Sequence, residues 1–234
     1  MSVQFVINAK LLKTIVKAVE NINEECIWTF DSSGLLIRMS DVYRHKMIEM
    51  FIAAEDFDSY TCTGAYDLGI VIDRIKDVSK TLAIKDTLRF NYDDSSTQVR
   101  LDSNGLSRVV KLIDIKMVGL VPYLNLDFDY VVGFDSKALK NFLKASSKCV
   151  DFNVVVELTK FMVRSETDEG IAEASWDVEV ESPSITNYST DAMSKATATM
   201  SGPINVRGSQ DGVLEVEWNL LTNTTIKALI APRI

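Results

Sequence analysis

Motifs that mark common classes of enzyme are missing from this sequence. It has no G-x-x-x-x-G-K-[ST] loop to cradle phosphates, no H-E-x-x-H zinc motif and no G-x-S-x-G nucleophile turn. Its one histidine, His45, stands between Arg44 and Lys46 and has no second histidine with which to bind a metal. The sequence therefore predicts no catalytic residue, no metal site and no cofactor.

Long apolar runs and paired cysteines are missing as well. No run approaches the roughly 20 apolar residues that cross a membrane, and the N-terminal MSVQFVINAKLL lacks the features of a secretory signal. Cys26, Cys62 and Cys149 are far apart and odd in number, which favours buried, reduced thiols. We expect no membrane association and a reducing compartment: the cytoplasm for an archaeal or viral protein, or the nucleus for a eukaryotic one.

An excess of basic charge is also absent, since the net charge is −8 at pH 7, and this argues against a nucleic-acid-binding protein. The positions of the basic residues argue the other way. Eleven of the 25 basic residues lie on four predicted helices: Lys10, Lys13, Lys17, Arg74, Lys76, Lys80, Lys137, Lys140, Lys144, Lys148 and Lys195. If these helices line one surface, its point charges would hold phosphates without reading base sequence. An ordinary solvated helix face is the alternative.

Lysines recur at matching places in the two halves of the chain. Lys10, Lys13 and Lys17 lie on the polar face of a predicted helix that Asn8 caps and that runs to about residue 21. Adding 127 to each position gives lysines of a helix predicted for 136–148, which Asp135 caps: Lys137, Lys140 and Lys144. Further helices are predicted at 67–80, capped by Asp67, and at about 190–200. Each half is therefore predicted to run strand, helix, strands, helix, strands, as an internal repeat.

The middle of the chain, Lys111–Phe134, is apolar without a helical period. Pro122 removes a backbone donor and biases Val121 toward an extended conformation. Polar and apolar residues alternate from Asn125 to Tyr130, which predicts a strand. We expect an extended connector with exposed apolar side chains, and an ordinary core strand and loop is the alternative.

Several segments, in order along the whole chain, resemble the sliding clamp family of archaea and eukaryotes, the proliferating cell nuclear antigen. They are LLKTIVKAVENI in the first helix, LLIRMSDVYRHKMIEM at 35–50, KLIDIK at 111–116, LVP at 120–122, VEW at 216–218 and IAPRI at 230–234. The resemblance implies an α+β fold of two topologically similar domains, with antiparallel sheets outside and four helices lining the inner face of a trimeric ring. It implies an N-terminal clamp domain at 1–111, an interdomain connector at 112–129 and a C-terminal clamp domain at 130–234.

The function that the resemblance implies is that of a DNA sliding clamp, a processivity factor without catalysis that encircles duplex DNA during replication and repair. DNA polymerase, a clamp loader, ligase and flap nuclease would be its partners. They would bind through short peptide motifs, in which a glutamine is followed by an aliphatic residue and then by two aromatic residues.

Three sets of residues are expected to carry this function. Lys13, Lys80 and Lys144 match basic family positions that face DNA, and the lysine pattern adds six more: Lys10, Lys17, Lys76, Lys137, Lys140 and Lys148. The resemblance implies an exposed partner-peptide pocket under the connector: Met39, His45, Met47, Leu120, Val121, Pro122, Leu229, Ala231 and Pro232. Edge strands at 106–112 and 169–177 are expected to pair between subunits through Val109, Val110, Lys111, Ala174, Ser175 and Trp176.

The sequence also departs from the family pattern. Asp77 stands where relatives often carry lysine, Leu229 stands where many carry an aromatic residue, and the loop at 39–47 is one residue longer. Two alternatives stay open at this point. One is a subunit of a heteromeric clamp that needs sister subunits, and the other is an enzyme or ligand-binding protein on a repeated α/β scaffold.

Overall fold

The chain forms two compact units, which the computed structural model describes over residues 2–168 and 170–233. The first unit comprises the residues up to Met39, Ile48–Pro122 and Leu221–Thr225. The second comprises Ser40–Met47, Tyr123–Leu220 and the residues from Ile226 onward. The predicted domain limits at 1–111, 112–129 and 130–234 stay a prediction.

The first unit contains two helices and two antiparallel groups of strands. Its elements are β1 (Ser2–Asn8), α1 (Ala9–Val19), β2 (Glu25–Asp31), β3 (Gly34–Ser40), β4 (Lys46–Ala53), β5 (Ser59–Cys62), β6 (Tyr66–Val71), α2 (Ile72–Lys80), β7 (Thr87–Asp93), β8 (Gln98–Ser103) and β9 (Leu106–Lys111). The last residue of β3, Ser40, and the first two of β4, Lys46 and Met47, belong to the second unit. Hydrogen-bonded neighbours follow the orders β5-β1-β7-β8-β9 and β4-β3-β2-β6.

The second unit repeats this arrangement without a counterpart of β5. Its elements are β10 (Tyr130–Asp135), α3 (Ser136–Ala145), β11 (Asp151–Glu157), β12 (Lys160–Thr167), β13 (Gly170–Asp177), β14 (Ser184–Ser189), α4 (Thr190–Ala196), β15 (Pro203–Gly208), β16 (Leu214–Asn219) and β17 (Thr224–Ile230). The strand orders β10-β15-β16-β17 and β13-β12-β11-β14 correspond, position by position, to β1-β7-β8-β9 and β4-β3-β2-β6. The predicted internal repeat and α+β class are confirmed.

Polar side chains at the strand–helix junctions start three of the helices. Asn8 Oδ1 accepts a hydrogen bond from the Leu11 N–H at 2.8 Å, and Asp135 Oδ1 accepts one from the Lys137 N–H at 2.9 Å. Ser189 Oγ accepts from the Ala192 N–H at 3.2 Å at the start of α4. Each cap satisfies a backbone donor that the helix itself leaves unpaired. The predicted equivalence of Asn8 and Asp135 is confirmed.

Aromatic side chains fill the space between the strand groups of each unit. In the first unit, the ring of Phe5 on β1 lies 4.6 Å from that of Phe90 on β7 and 5.9 Å from that of Phe30 on β2. In the second, the ring of Phe161 on β12 lies 5.7 Å from that of Phe134 on β10. Burying one such side chain stabilises a fold by roughly 1.5–3 kcal/mol. Each unit therefore has an aromatic core of its own.

The second helix of the first unit begins later than predicted. Tyr66–Val71 is strand β6, in which Leu68 and Ile70 are buried, and Asp67 accepts a hydrogen bond from Thr29 Oγ1 at 2.6 Å instead of capping a helix. The apolar positions of this segment fit both helical and strand spacing, and pairing with β2 decides between them. Strand β14 was likewise not predicted, and α4 ends at Ala196 rather than near residue 200.

The connector segment has almost no regular structure. A 3₁₀ helix covers Ile115–Met117, and from Val118 to Phe128 the chain forms neither a helix nor a paired strand. Met117 and Leu120 are each 80% exposed, so the expected exposed apolar side chains are present. The strand predicted from Asn125 is wrong, because residues 125–128 pair with no strand.

The three cysteines differ in burial. Cys26 is buried, and its desolvation raises the pKa of the thiol to about 12. Cys62 and Cys149 are only half-buried, because they lie at an edge strand and in a turn. The expectation of three buried thiols is therefore correct for Cys26 alone.

Candidate functional site

The first helix of each unit carries lysines that form no ion pair with any residue the structure describes. On α1 they stand opposite a buried face that includes Leu12 and Ile15, and on α3 opposite one that includes Leu139 and Phe142. All are exposed except one half-buried side chain, that of Lys140. The set is Lys10, Lys17, Lys137, Lys140 and Lys144. Both helices therefore present uncompensated positive charge.

Acidic neighbours pair the lysines of the second helices. Lys76 Nζ lies 2.8 Å from a Glu20 carboxylate oxygen, and Lys80 Nζ lies 2.9 Å from one of Asp77. The hydrogen bond to Glu20, and then its charge, raises the pKa of Lys76, and the hydrogen bond from Lys80 lowers the pKa of Asp77. On α4 the same pairing joins Lys195 to Asp191 at 2.8 Å. A surface with both signs of charge attracts phosphate less strongly than one with lysines alone.

Two predicted DNA-facing lysines differ from the rest. The half-buried Lys13 donates a hydrogen bond from Nζ to the Leu82 carbonyl oxygen at 2.6 Å, just beyond the end of α2. That Lys13 faces DNA stays a prediction, and its ammonium group is bound to this helix terminus in the structure. Lys148 is exposed but lies in the turn after α3, which ends at Ala145, so its predicted place on the helix is wrong.

The predicted subunit edges are sheet edges in the structure. β9 ends the order β5-β1-β7-β8-β9 and β13 begins the order β13-β12-β11-β14, so each strand has a neighbour on one side only. Val109 is 55% exposed and Lys111 and Ser175 are exposed, whereas Val110 is 7% exposed because it faces the core. The remaining predicted residues, Ala174 and Trp176, are half-buried. Glu169, which was expected to begin the second edge, lies outside the described residues. The pairing of these edges between subunits stays a prediction.

The two edges carry opposite charges. β9 contains Arg108 and Lys111 and no acidic residue, and β13 contains Glu173 and Asp177 and no basic residue. Neither acidic side chain forms an ion pair within the described residues. Arg164 is opposite Glu173 in the strand register, but its guanidinium pairs with Glu166 instead, with Nη2 3.4 Å from Oε2. An unpaired edge with one sign of charge is suited to a second edge with the other sign.

The predicted pocket residues fall on both units. In the second unit the Ala231 N–H donates a hydrogen bond to the His45 carbonyl oxygen at 2.9 Å, and Pro232 forms a bridge with Tyr188. In the first unit Leu120 and Pro122 are exposed and Val121 is half-buried. That these residues form one pocket stays a prediction.

Three predicted pocket residues are not exposed. Met39 is 2% exposed, because it lies on the same face of β3 as the core residues Leu35 and Ile37. Met47 and Leu229 are 7% and 6% exposed. The prediction that these three side chains are accessible is wrong: strand alternation places Met39 in the core, and the other two are covered on the opposite strand face.

Sequence reasoning did not single out the exposed side chains of the loop between β3 and β4. Val42 is 81% exposed and Tyr43 is 78% exposed, and Arg44 between Tyr43 and His45 has φ of 58°. The sequence feature that could have indicated them is the pair of adjacent apolar residues within the otherwise polar stretch SDVYRHK.

The described residues contain no group of three or more His, Cys, Asp or Glu side chains that could hold a metal ion. Among the helices of residues 2–168 and 170–233, none is long and apolar enough to cross a membrane.

Comparison with known proteins identifies the family. Residues 2–123, more than half of the 234-residue chain, match the family described as "Proliferating cell nuclear antigen, N-terminal domain". The chain belongs to the proliferating cell nuclear antigen family. The family resemblance predicted from the sequence is confirmed.

Relatives and solved structures agree with this membership. The chain is 25% identical over 150 residues to a DNA polymerase sliding clamp of Archaeoglobus fulgidus, in an alignment that covers 64% of this chain and 61%, less than two thirds, of the relative. It is 24% identical over 239 residues to the DNA polymerase sliding clamp of Thermofilum pendens, and that alignment covers 97% and 96%. Its fold is similar to that of A. fulgidus PCNA, solved with the C-terminal region of FEN-1 bound, with a TM-score of 0.91 at 18% identity over 99% and 98% of the two chains.

In this family member, we expect Lys13→Ala to lower stability rather than DNA binding. The change removes a half-buried, charged hydrogen bond to the end of α2, where a positive charge also complements the helix dipole. The free energy of unfolding should fall by about 1–2 kcal/mol in urea titrations. Lys10→Ala on the same helix is the matched control, and it should change stability by less than about 0.5 kcal/mol. Equal losses in both variants would contradict a structural role for Lys13.

Proposed function

We propose that this chain is a subunit of a DNA sliding clamp, which encircles duplex DNA and tethers replication and repair enzymes without catalysing a reaction. The observation that carries the proposal is the repetition of uncompensated lysines on the first helix of both units. Point charges of this kind hold phosphates of any sequence. The net charge of −8 is that of the whole chain, so the faces away from these helices are acidic and repel nucleic acid.

Ring closure would use the two sheet edges. Pairing β9 of one copy with β13 of the next is a head-to-tail contact, which closes into a ring when the rotation permits. The exposed Val109 and Ile171 would be covered, and a groove of about 470 Å³ beside β13, lined in part by Lys148 and Ile171, offers room for an incoming side chain. Because both charge signs occur on one chain, these edges favour a homotrimer over a clamp that needs sister subunits.

The partners we propose are DNA polymerase, a clamp loader, ligase and flap nuclease, each bound through a short peptide. The A. fulgidus relative was solved with the C-terminal region of FEN-1 bound, which supports this class of ligand. Aromatic side chains of such a peptide would supply most of the affinity. We place this activity where the DNA is, in the cytoplasm or the nucleus.

Encirclement can be tested with duplex DNA whose two ends are blocked by bound protein. Dissociated subunits are reassembled in the presence of this DNA and then washed with about 1 M salt, which screens exposed charges beyond roughly 3 Å. The protein should stay on the DNA until a restriction enzyme cuts it, and should then slide off. If the wash removed the protein to the same extent from blocked DNA and from cut DNA, the proposal would be contradicted.

The partner site can be tested with a peptide that carries the glutamine–aliphatic–aromatic–aromatic motif. Val121→Asp should weaken its binding by at least about tenfold, because peptide docking would desolvate a carboxylate that has no partner. The matched control is Val131→Asp, a 59% exposed residue outside the predicted pocket, which should bind normally. Calorimetric titration decides, and equal affinities of the Val121→Asp variant and the unaltered protein would remove Val121 from the site.

A further inference from the structure

The loop from Asp41 to Lys46, here called loop 41–46, is held closed by its first residue. The Asp41 N–H donates to the Lys46 carbonyl oxygen at 3.1 Å, and the Arg44 N–H donates to the Asp41 carbonyl oxygen at 3.0 Å. Asp41 Oδ1 accepts from the Lys46 N–H at 3.0 Å. These three bonds fix the backbone, so its side chains are presented to solvent in one arrangement and lose little freedom on binding.

Loop 41–46 presents an apolar surface. Val42 and Tyr43 are among the four most exposed large apolar side chains of the described residues, at 81% and 78%. The ring of Tyr43 stacks on that of His45, with centroids 5.8 Å apart and planes 24° apart. Adjacent, ordered apolar side chains on a closed loop are typical of a binding surface, and tyrosine is a frequent anchor of such surfaces.

Arg44 gives this surface a positive charge. The other cation of the loop, Lys46, is paired with Asp41, with Nζ 3.7 Å from Oδ2 and both side chains 11% exposed. Arg44 is exposed, and its guanidinium forms no ion pair with any residue that the structure describes. The loop therefore offers two apolar side chains beside one unpaired guanidinium, which can bind a carboxylate through two parallel hydrogen bonds.

The loop is also continuous with the predicted partner site. The His45 carbonyl oxygen accepts the hydrogen bond from the Ala231 N–H at 2.9 Å, so the loop backbone joins the terminal segment that contains Ala231 and Pro232. A peptide bound at that segment can therefore reach loop 41–46 with the residues that flank its motif.

We infer that loop 41–46 is an additional docking surface for partner peptides, which binds an acidic segment with an apolar residue next to the motif. The apolar residue packs on Val42 and Tyr43, and the carboxylate pairs with Arg44. This inference rests on the proposed peptide-binding function and adds its chemical preference. A single guanidinium beside two apolar side chains is suited to such a peptide rather than to a run of DNA phosphates.

The test compares three forms of one motif peptide: the motif alone, the motif with a leucine and two glutamates added, and the motif with a leucine and two lysines added. Each extension is placed at either end in separate peptides. For the unaltered protein, the acidic extension at one end should raise affinity about tenfold over the motif alone. Val42→Ser combined with Tyr43→Ser should abolish this gain and leave binding of the motif alone unchanged.

Charge reversal at Arg44 gives a second readout. Arg44→Glu should prefer the lysine extension over the glutamate extension, whereas Lys85→Glu, a reversal at an exposed lysine outside the loop, should keep the original preference. Equal affinities for motif and extended peptides at both ends, or an unchanged preference in Arg44→Glu, would overturn the inference. An extension effect without retention on end-blocked DNA would support the loop site and overturn only the proposed clamp function.

Discussion

Reversing the charge of β9 is expected to convert the assembly into monomers. In Arg108→Glu combined with Lys111→Glu, the edge strand that carried two cations would carry two anions opposite Glu173 and Asp177 of the next copy. Two like charges about 4 Å apart near a protein surface repel each other by about 4 kcal/mol. Every contact of a head-to-tail ring would contain this repulsion, so the ring opens at each junction. Sedimentation velocity at micromolar concentration should show the monomer mass.

A second pair of substitutions should restore assembly. Adding Glu173→Lys and Asp177→Lys to the same chain again places opposite charges across the contact, and the trimer mass should return. Arg89→Glu on the interior strand β7 is the matched control, and it should remain trimeric because that strand has neighbours on both sides. A trimer that survives reversal of β9 would disprove the edge pairing. A monomeric mass for the unaltered protein, with no sister subunit present, would disprove the homotrimer.

Removing the uncompensated lysines is expected to weaken DNA binding equally on every duplex sequence. The variant replaces with alanine the five residues Lys10, Lys17, Lys137, Lys140 and Lys144. Each phosphate contact that is lost should flatten the slope of log affinity against log salt by about 0.9, and affinity should fall more than about tenfold. The measurement is fluorescence anisotropy of a short duplex over a range of salt concentrations. The fold should be retained, because exposed lysines contribute little to stability.

The matched control removes whole ion pairs from the second helices. It replaces with alanine both members of Lys76–Glu20, Lys80–Asp77 and Lys195–Asp191, which leaves the net charge unchanged. The slope of log affinity against log salt should stay within about one unit of that of the unaltered protein. The reason is that these lysines are expected to stay paired with their carboxylates instead of binding DNA phosphates. A control that flattens the slope as much as the five-lysine variant would show that α2 and α4 contact DNA as strongly as α1 and α3.

Local features of the chain were sufficient to predict most of the fold. The offset of 127 between Lys10 and Lys137 exposed the repeat, and Asn8 and Asp135 marked the two helix starts, because capping and periodicity act between residues a few positions apart. The apolar residues around Pro122 likewise predicted an extended connector with exposed apolar side chains. Family resemblance supplied the function, since no single residue in the sequence carries a chemical signature for encircling DNA.

Contacts between distant parts of the chain decided the rest. Lys13 donates a hydrogen bond to the Leu82 carbonyl oxygen, 69 positions away, and Lys76 pairs with Glu20, the residue that follows α1. Lysines that look equivalent along a helix therefore differ in how much uncompensated charge they present. Pairing with β2 made a strand of the segment that contains Asp67. Burial of Met39 likewise follows from which face of β3 turns to the core. Such outcomes depend on which elements pack together, and that choice minimises the free energy of the whole fold rather than of any one segment.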